Sequence, residues 1–172
     1  MKIRSSHNFD AWRTQLERTR RWHRRLKKIK PEGTHVVSMH IAEDYLYAFF
    51  QNCWHLCEWV QKSKIVAGPK IKHLFDSHEE LRLCRDICNG TKHMTITRPS
   101  VDSQFTTFRE YDWLQPSMAE GPNSNQKLMV RAAGQKHDMF VLADQCMKIW
   151  DDFLEPILTQ QKNEPNRVSA PN

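Results

Sequence analysis

The feature that most constrains the fold is a long segment, residues 35–62, whose apolar side chains recur at helical spacing around much of its circumference. A helix that is apolar on most sides must be covered by other elements. The segment therefore predicts the central helix of a bundle, with Thr34 as its N-cap. Two polar residues, Asn52 and His55, interrupt the apolar surface and need partners if they are buried. The broadest apolar face consists of Val37, Ile41, Leu46, Phe49, Cys53, Leu56, Cys57 and Val60.

Three further segments show helical periodicity. Residues 9–30 carry an aromatic seam and end at Pro31-Glu32-Gly33, where proline and glycine stop a helix. A third helix begins at Asp76 or Ser77 and ends at Gly90, and a last helix covers residues 142–158. Residues 63–75 contain Gly68-Pro69 and are predicted to be a connection. With only 5 glycines in 172 residues, long helices are favoured over an all-β fold.

The remaining segments predict a small amount of sheet. Met94–Thr97 alternates before a proline and predicts a short strand. Lys127–Ala133 and His137–Val141 flank Gly134-Gln135-Lys136, which is typical of a β-hairpin. We therefore predict a mainly α fold, a four- to five-helix bundle with a small β-hairpin before the last helix. The expected organisation is a basic N-terminal helix over residues 1–33, a bundle over residues 34–159 with the hairpin insert at about 94–141, and a disordered tail over residues 160–172.

The positive charge is concentrated at one end of the chain. Residues 1–33 hold eleven Lys and Arg against three Asp and Glu, a net +8, whereas the whole chain has +6. Such a block is a plausible footprint for nucleic acid, and it is equally typical of a solvated helix face. If nucleic acid binds here, the expected contacts are Arg20, Arg21, Arg24 and Arg25.

The apolar runs and the cysteines of the sequence indicate the cellular compartment and whether a metal ion is bound. The N-terminus has no apolar signal core, and no run approaches the roughly 18–20 apolar residues of a membrane span. Five cysteines without disulfide-like spacing suit the cytoplasm. Cys53-x3-Cys57 and Cys84-x3-Cys88 each place two thiols on one helical face, but structural zinc usually uses a Cys-x2-Cys turn. We expect these cysteines to pack as small apolar residues, with no metal and no cofactor.

A polar cluster at the end of the third helix is the candidate site. Arg85 and Asn89 are four residues apart and share a face of the helix. A left-handed cap at Gly90 would turn Lys92 and His93 back toward that face. Arginine suits phosphate, and histidine suits proton transfer near neutral pH. The cluster therefore predicts a phosphate site with a general acid or base, and the plain alternative is a capped surface helix with solvated polar groups.

Two segments together resemble the HEPN superfamily of helical-bundle proteins. They are Phe50-Gln51-Asn52-Cys53-Trp54-His55-Leu56 on the long helix and Cys84-Arg85-Asp86-Ile87-Cys88-Asn89-Gly90-Thr91-Lys92-His93 on the later one. In that family an arginine, often followed by a polar residue, precedes a histidine late in a helix. Arg85, Asp86 and His93 match this pattern, although seven residues separate Arg85 from His93, slightly more than is usual.

The resemblance implies a metal-independent ribonuclease or an RNA-binding protein of a defence or toxin–antitoxin module. It implies a homodimer, because the site of family members is often assembled from two copies, and an operon-encoded protein partner. The lack of a long apolar run predicts no membrane association. The expected catalytic residues are Arg85, His93 and Asn89, and Lys92, Asn52 and His55 are expected to bind substrate. Two alternatives are a non-catalytic interaction protein, such as an antitoxin or accessory subunit, and a nucleic-acid-binding phage or structural protein that uses the first helix.

Overall fold

The computed structural model describes residues 11–29, 38–92, 99–112 and 125–163 and shows five helices and one three-stranded sheet within them. The prediction of a mainly α fold is confirmed. In chain order the elements are α1 (Ala11–Ile29), α2 (Met39–Ser63), α3 (Gly68–Ser77), α4 (Glu79–Lys92), β1 (Thr106–Asp112), β2 (Asn125–Ala132), β3 (Gln135–Asp138) and α5 (Met139–Asn163).

Helix α2 is the central element, as its apolar circumference predicts. It packs against α1, α3, α4 and α5. Several of its core side chains are fully buried, because these neighbouring helices cover its apolar surface. The residues with no exposed surface are Leu46, Phe49, Phe50, Leu56 and Val60. The other helices therefore take their positions from α2.

Helix α1 is part of the same core. Trp12, Leu16 and Leu26 of its predicted seam are buried against the bundle. Two polar side chains are buried with them: Gln15 Nε2 and Thr19 Oγ1 both donate to the Asn52 carbonyl oxygen on α2, at 2.9 and 3.1 Å. The basic helix thus lies along the bundle instead of projecting from it.

The predicted connection over residues 63–75 is wrong, because most of it forms helix α3. Lys64 adopts a left-handed conformation (φ 55°) that ends α2. Pro69 then occupies the first turn of α3, where its fixed φ is suited to a helix and its missing N–H would have had no intrahelical partner. Gly68-Pro69, which the sequence suggested to be a turn, therefore lies at the start of a helix.

Helix α4 does not end at Gly90. It continues to Lys92, and among the described glycines only Gly134 has a positive φ. The predicted left-handed cap at Gly90 is wrong. Hydrogen bonds at Thr91, which donates to the Cys88 carbonyl oxygen and accepts from Gln51 Nε2, hold the last turn in place, and the cost of a glycine in a helix is only about 0.5–1 kcal/mol.

The sheet has the antiparallel order β1-β2-β3. The predicted hairpin is β2–β3, but its turn is Ala133-Gly134, both with positive φ (49° and 73°), as in a type I′ turn. Strand β3 ends at Asp138, whose carboxylate accepts from Phe140 N at 2.8 Å and starts α5 three residues before the predicted position. Strand β1 was not predicted.

Helix α5 runs through Pro156 to Asn163, so residues 160–163 are helical and not part of a disordered tail. The predicted N-cap Thr34 is wrong, because α2 begins at Met39 and Ser38 occupies its N-cap position. Predictions for Pro31–Gly33, Met94–Thr97 and residues 164–172 fall outside the described residues. Among the helices that the structure describes, none combines the length and apolar character needed to cross a membrane.

Candidate functional site

Three predicted site residues lie in one line along α4. Arg85, Asn89 and Lys92 are spaced by four and then three residues, and the helix is continuous between them, so they share one face. The Arg85 side chain is 37% exposed, Asn89 is half-buried and Lys92 is exposed. We call these three residues the α4 stripe. It arises because the helix passes through Gly90, and it does not need the glycine break that the sequence suggested.

The neighbouring surface of α2 adds two polar side chains. Gln51 Nε2 donates to Thr91 Oγ1 at 2.9 Å, which joins the two helices at the C-terminal end of α4. His55 is one turn further along α2 from Gln51 and therefore faces the same side. It is half-buried. The imidazole that the sequence singled out on α2 thus borders the seam between α2 and α4.

The Arg85 guanidinium has few internal partners. Its Nε lies 3.8 Å from Asp86 Oδ1, too far for a hydrogen bond, and this buried Nε has no hydrogen-bond partner in the part of the chain that the structure describes. Charged groups along the seam also act on the cysteines beneath it. Burial and then the charges of Cys53 and Glu58 raise the pKa of Cys57 to about 12, while Arg85 lowers it. The seam therefore carries both signs of charge.

Asp86, the polar residue after the motif arginine, has a structural position. It is fully buried, and its Oδ2 accepts from the backbone N–H groups of Ser100 and Val101 at 2.6 and 3.3 Å. Ser100 Oγ in turn donates to the Arg82 carbonyl oxygen at 2.9 Å. The carboxylate thus holds the chain at residues 100–101 against α4.

Asn52 is separated from the α4 stripe. Its side chain donates to the Ala48 carbonyl oxygen at 2.7 Å and accepts from Gln15 Nε2 at 3.2 Å. These bonds place it in the interface between α1 and α2. The structure therefore places Asn52 in the interface between α1 and α2, away from the α4 stripe.

The four arginines predicted on the first helix divide into two groups. Arg20 bonds Asp151 of α5 at 2.7 Å and Glu17 at 2.8 Å. Burial opposes its charge, but the hydrogen bonds to Asp151 and Glu17 outweigh it and raise the Arg20 pKa. Arg21, Arg24 and Arg25 are exposed, and Arg25 lies over the Trp22 ring at 4.5 Å. Arg20 fastens α1 to α5, and the other three form a basic face, which we call the α1 basic face.

His93 directly follows Lys92 in the chain and lies outside the described residues. Its position relative to Arg85 is therefore part of the hypothesis and not of the observed site.

A second polar site was missed because β1 was not predicted. Arg109 of β1 bonds Glu43 Oε2 at 2.5 Å and lies 3.2 Å from His40 Nδ1. Both partners are on α2, three residues apart on one face. A cleft of about 190 Å³ lies beside this ion pair, and Tyr47 also lines it. In the sequence, the spacing of His40, Glu43 and Tyr47 shows only that they share one face of a helix. It does not indicate that Arg109 pairs with them. The ion pair joins the sheet to α2.

A third group of reactive side chains is in the core. The sulfur atoms of Cys53, Cys84 and Cys146 all lie within 4.8 Å of one another. They come from α2, α4 and α5 and are buried. The sequence paired cysteines along each helix, whereas the structure takes one cysteine from each pair and adds Cys146. These are the described residues that could hold a metal.

Comparison of the chain with protein-family models, with curated proteins and with solved structures finds no match.

Proposed function

We propose that this protein binds RNA and cleaves it without a metal ion, in the manner of HEPN-like ribonucleases. The observation that carries the proposal is the α4 stripe, which aligns Arg85, Asn89 and Lys92 on one accessible helix face. Arginine's planar fork suits a phosphate, and the Asp86 carboxylate lies 3.8 Å from Arg85 Nε, beyond hydrogen-bond distance. The partly exposed Arg85 side chain can therefore contact an anionic group without breaking a hydrogen bond to Asp86.

The chemistry requires few groups. One base takes the proton from the ribose 2′-hydroxyl, whose oxygen attacks the adjacent phosphorus. An acid protonates the departing 5′-oxygen as its bond to phosphorus breaks. We assign the phosphate contact to Arg85, and hydrogen bonding and charge to Asn89 and Lys92. His93 transfers one proton, because an imidazole exchanges protons near neutral pH. A second imidazole is supplied by His55 or by the other copy in a homodimer.

The α1 basic face supports RNA binding independently of cleavage. Arg21, Arg24 and Arg25 are exposed and available for phosphate contacts along an RNA backbone. In this proposal the protein acts in the cytoplasm, within a defence or toxin–antitoxin module that includes an operon-encoded partner.

The test is cleavage of a mixed RNA substrate by purified protein in the presence of EDTA. We expect the unaltered protein to cleave, and Arg85→Ala and His93→Ala each to lose about 100-fold or more, the usual range for groups that transfer protons or stabilise charge. Lys148→Ala is the matched control, because Lys148 is 75% exposed on α5. Equal cleavage by all four proteins would remove Arg85 and His93 from the reaction.

The α1 basic face also favours a second function, nucleic-acid binding without cleavage. In that case no variant would show hydrolysis, and affinity would fall steeply with salt. The double variant Arg21→Ala/Arg24→Ala would weaken binding, and His93→Ala would not. This outcome would favour a protein that binds nucleic acid without cleaving it over a ribonuclease.

A further inference from the structure

The three-cysteine cluster has the geometry of a metal site. Three points within 4.8 Å of one another fit inside a circle whose radius is that distance divided by √3, so a central point lies no more than about 2.8 Å from every sulfur atom. A zinc–thiolate bond is about 2.3 Å long. Each sulfur atom would have to move inward by about 0.5 Å at most, which a change of side-chain torsion can supply.

We propose that Cys53, Cys84 and Cys146 bind one thiophilic d10 cation, Zn²⁺ or Cu⁺. Soft thiolate ligands select these ions over Mg²⁺ or Ca²⁺. The ligands come from α2, α4 and α5, so the ion would join three helices of the bundle at its centre.

The surroundings of Cys53 favour a thiolate. The neighbouring thiols of Cys146 and Cys84 lower the pKa of Cys53 against the effect of burial, and Trp150 and His23 act in the same direction. Trp150 is fully buried, and its Nε1 has no hydrogen-bond partner of ordinary geometry in the described part of the chain. The indole N–H is thus a buried donor beside the cluster that a metal-bound thiolate would satisfy.

Cys84 and Cys146 must lose their protons when the ion binds. Burial raises the pKa of both thiols, and without metal Cys146 Sγ donates to the Glu80 carbonyl oxygen at 3.3 Å. The bound cation replaces these protons, which leave to solvent. Three thiolates leave one net negative charge with Zn²⁺ and two with Cu⁺. Charge therefore favours Zn²⁺, since burying charge is costly.

The number of available ligands instead favours Cu⁺ over Zn²⁺. The cluster offers three ligands within the described residues, which satisfies three-coordinate Cu⁺, whereas structural zinc takes four. Separate titrations with the two ions distinguish them.

The experiment titrates the reduced full-length protein with Zn²⁺ and, anaerobically, with Cu⁺, in competition with a chromophoric chelator. We expect one ion per chain for at least one of the two metals. Cys84→Ala and Cys146→Ala should abolish stoichiometric binding, while Cys88→Ala, a buried cysteine outside the cluster, retains it. Trp150→Phe should weaken binding by about tenfold, as loss of a supporting hydrogen bond does.

Failure of both metals to bind the unaltered protein would overturn the proposal, whatever the variants do. So would binding that survives in Cys84→Ala and Cys146→Ala, because the ion would then be held elsewhere. Circular dichroism identifies a variant that fails to fold. If a variant fails to fold, metal binding by the unaltered protein, by Cys88→Ala and by Trp150→Phe decides whether the proposal stands.

Discussion

Asp86 shows how one side chain can serve the fold beside a site. Its carboxylate is buried and accepts from two backbone N–H groups, those of Ser100 and Val101. The neighbouring Arg85 points its charge to a partly exposed position. Asp86 therefore stabilises the fold while Arg85 remains partly exposed, because adjacent residues project about 100° apart around the helix axis.

Replacing Asp86 with alanine should lower the free energy of unfolding by about 2–4 kcal/mol. The substitution leaves two partly buried N–H groups without their acceptor, and hydrogen bonds to charged groups are the stronger class. Urea unfolding followed by circular dichroism measures the change. Asp152→Ala is the control, because Asp152 is 65% exposed, and it should change stability by no more than about 0.5 kcal/mol. Equal effects of the two substitutions would show that Asp86 does not hold residues 100–101.

Buried thiols should make the fold sensitive to alkaline pH. Burial raises the pKa of Cys57 to about 12 and that of Cys88 to about 11, from an ordinary value near 9. Between pH 9 and 11 the unfolded chain releases thiol protons that the folded chain keeps. The stability that Cys57 and Cys88 contribute is therefore fully present below pH 9 and is lost as pH rises toward their folded pKa values, by about 1.4 kcal/mol per pH unit for each thiol.

The measurement is the free energy of unfolding at several pH values between 8 and 11 for the unaltered protein and for Cys88→Ala. The variant should show a shallower decline, by about 1.4 kcal/mol per pH unit. If the free energies of unfolding of the two proteins fell with equal slopes, the pKa of Cys88 would not be raised in the folded protein.

At the scale of elements, the sequence was most informative where a pattern is local. The seams of α1 and α2 predicted both helices and their buried faces, since helical spacing alone defines them. Gly68 and Gly90 misled the prediction, because a glycine can precede a helix or lie within it. Strand β1 was missed because it pairs with β2 across a long separation in the chain, which no local pattern records.

Gly90→Ala tests whether α4 continues through this position. A helical glycine gains from alanine, so we expect a stabilisation of about 0.5–1 kcal/mol. A left-handed cap would instead be destabilised by a comparable or larger amount. Thermal and urea unfolding give the sign, and Gly134→Ala, at φ 73°, is the control that should destabilise.

At the scale of the whole molecule, α1 joins the bundle through its apolar seam and through the Arg20–Asp151 ion pair. The charge pattern could not predict this, because a basic helix face is compatible with either a projecting or a packed helix. The cysteine cluster was also beyond prediction, since it depends on how α2, α4 and α5 are placed relative to one another. The α4 stripe was predicted in its residues but not in its geometry.

Trp12→Ala should destabilise the entire domain by about 3–5 kcal/mol, because the residue is fully buried between α1 and the bundle. A single cooperative transition, shifted to lower denaturant, would show that α1 unfolds with the rest. Arg24→Ala, on the exposed face of the same helix, should leave stability nearly unchanged. Two separate transitions in the unaltered protein would contradict this arrangement.

All five cysteines of the chain are buried, and this gives the molecule a built-in reporter. A thiol-reactive dye cannot attack a sulfur atom inside the closed core, so labelling proceeds only through opened conformations. Counting the dyes attached to each molecule by mass spectrometry over time would therefore show whether the helices open one by one or together, with no engineered probe.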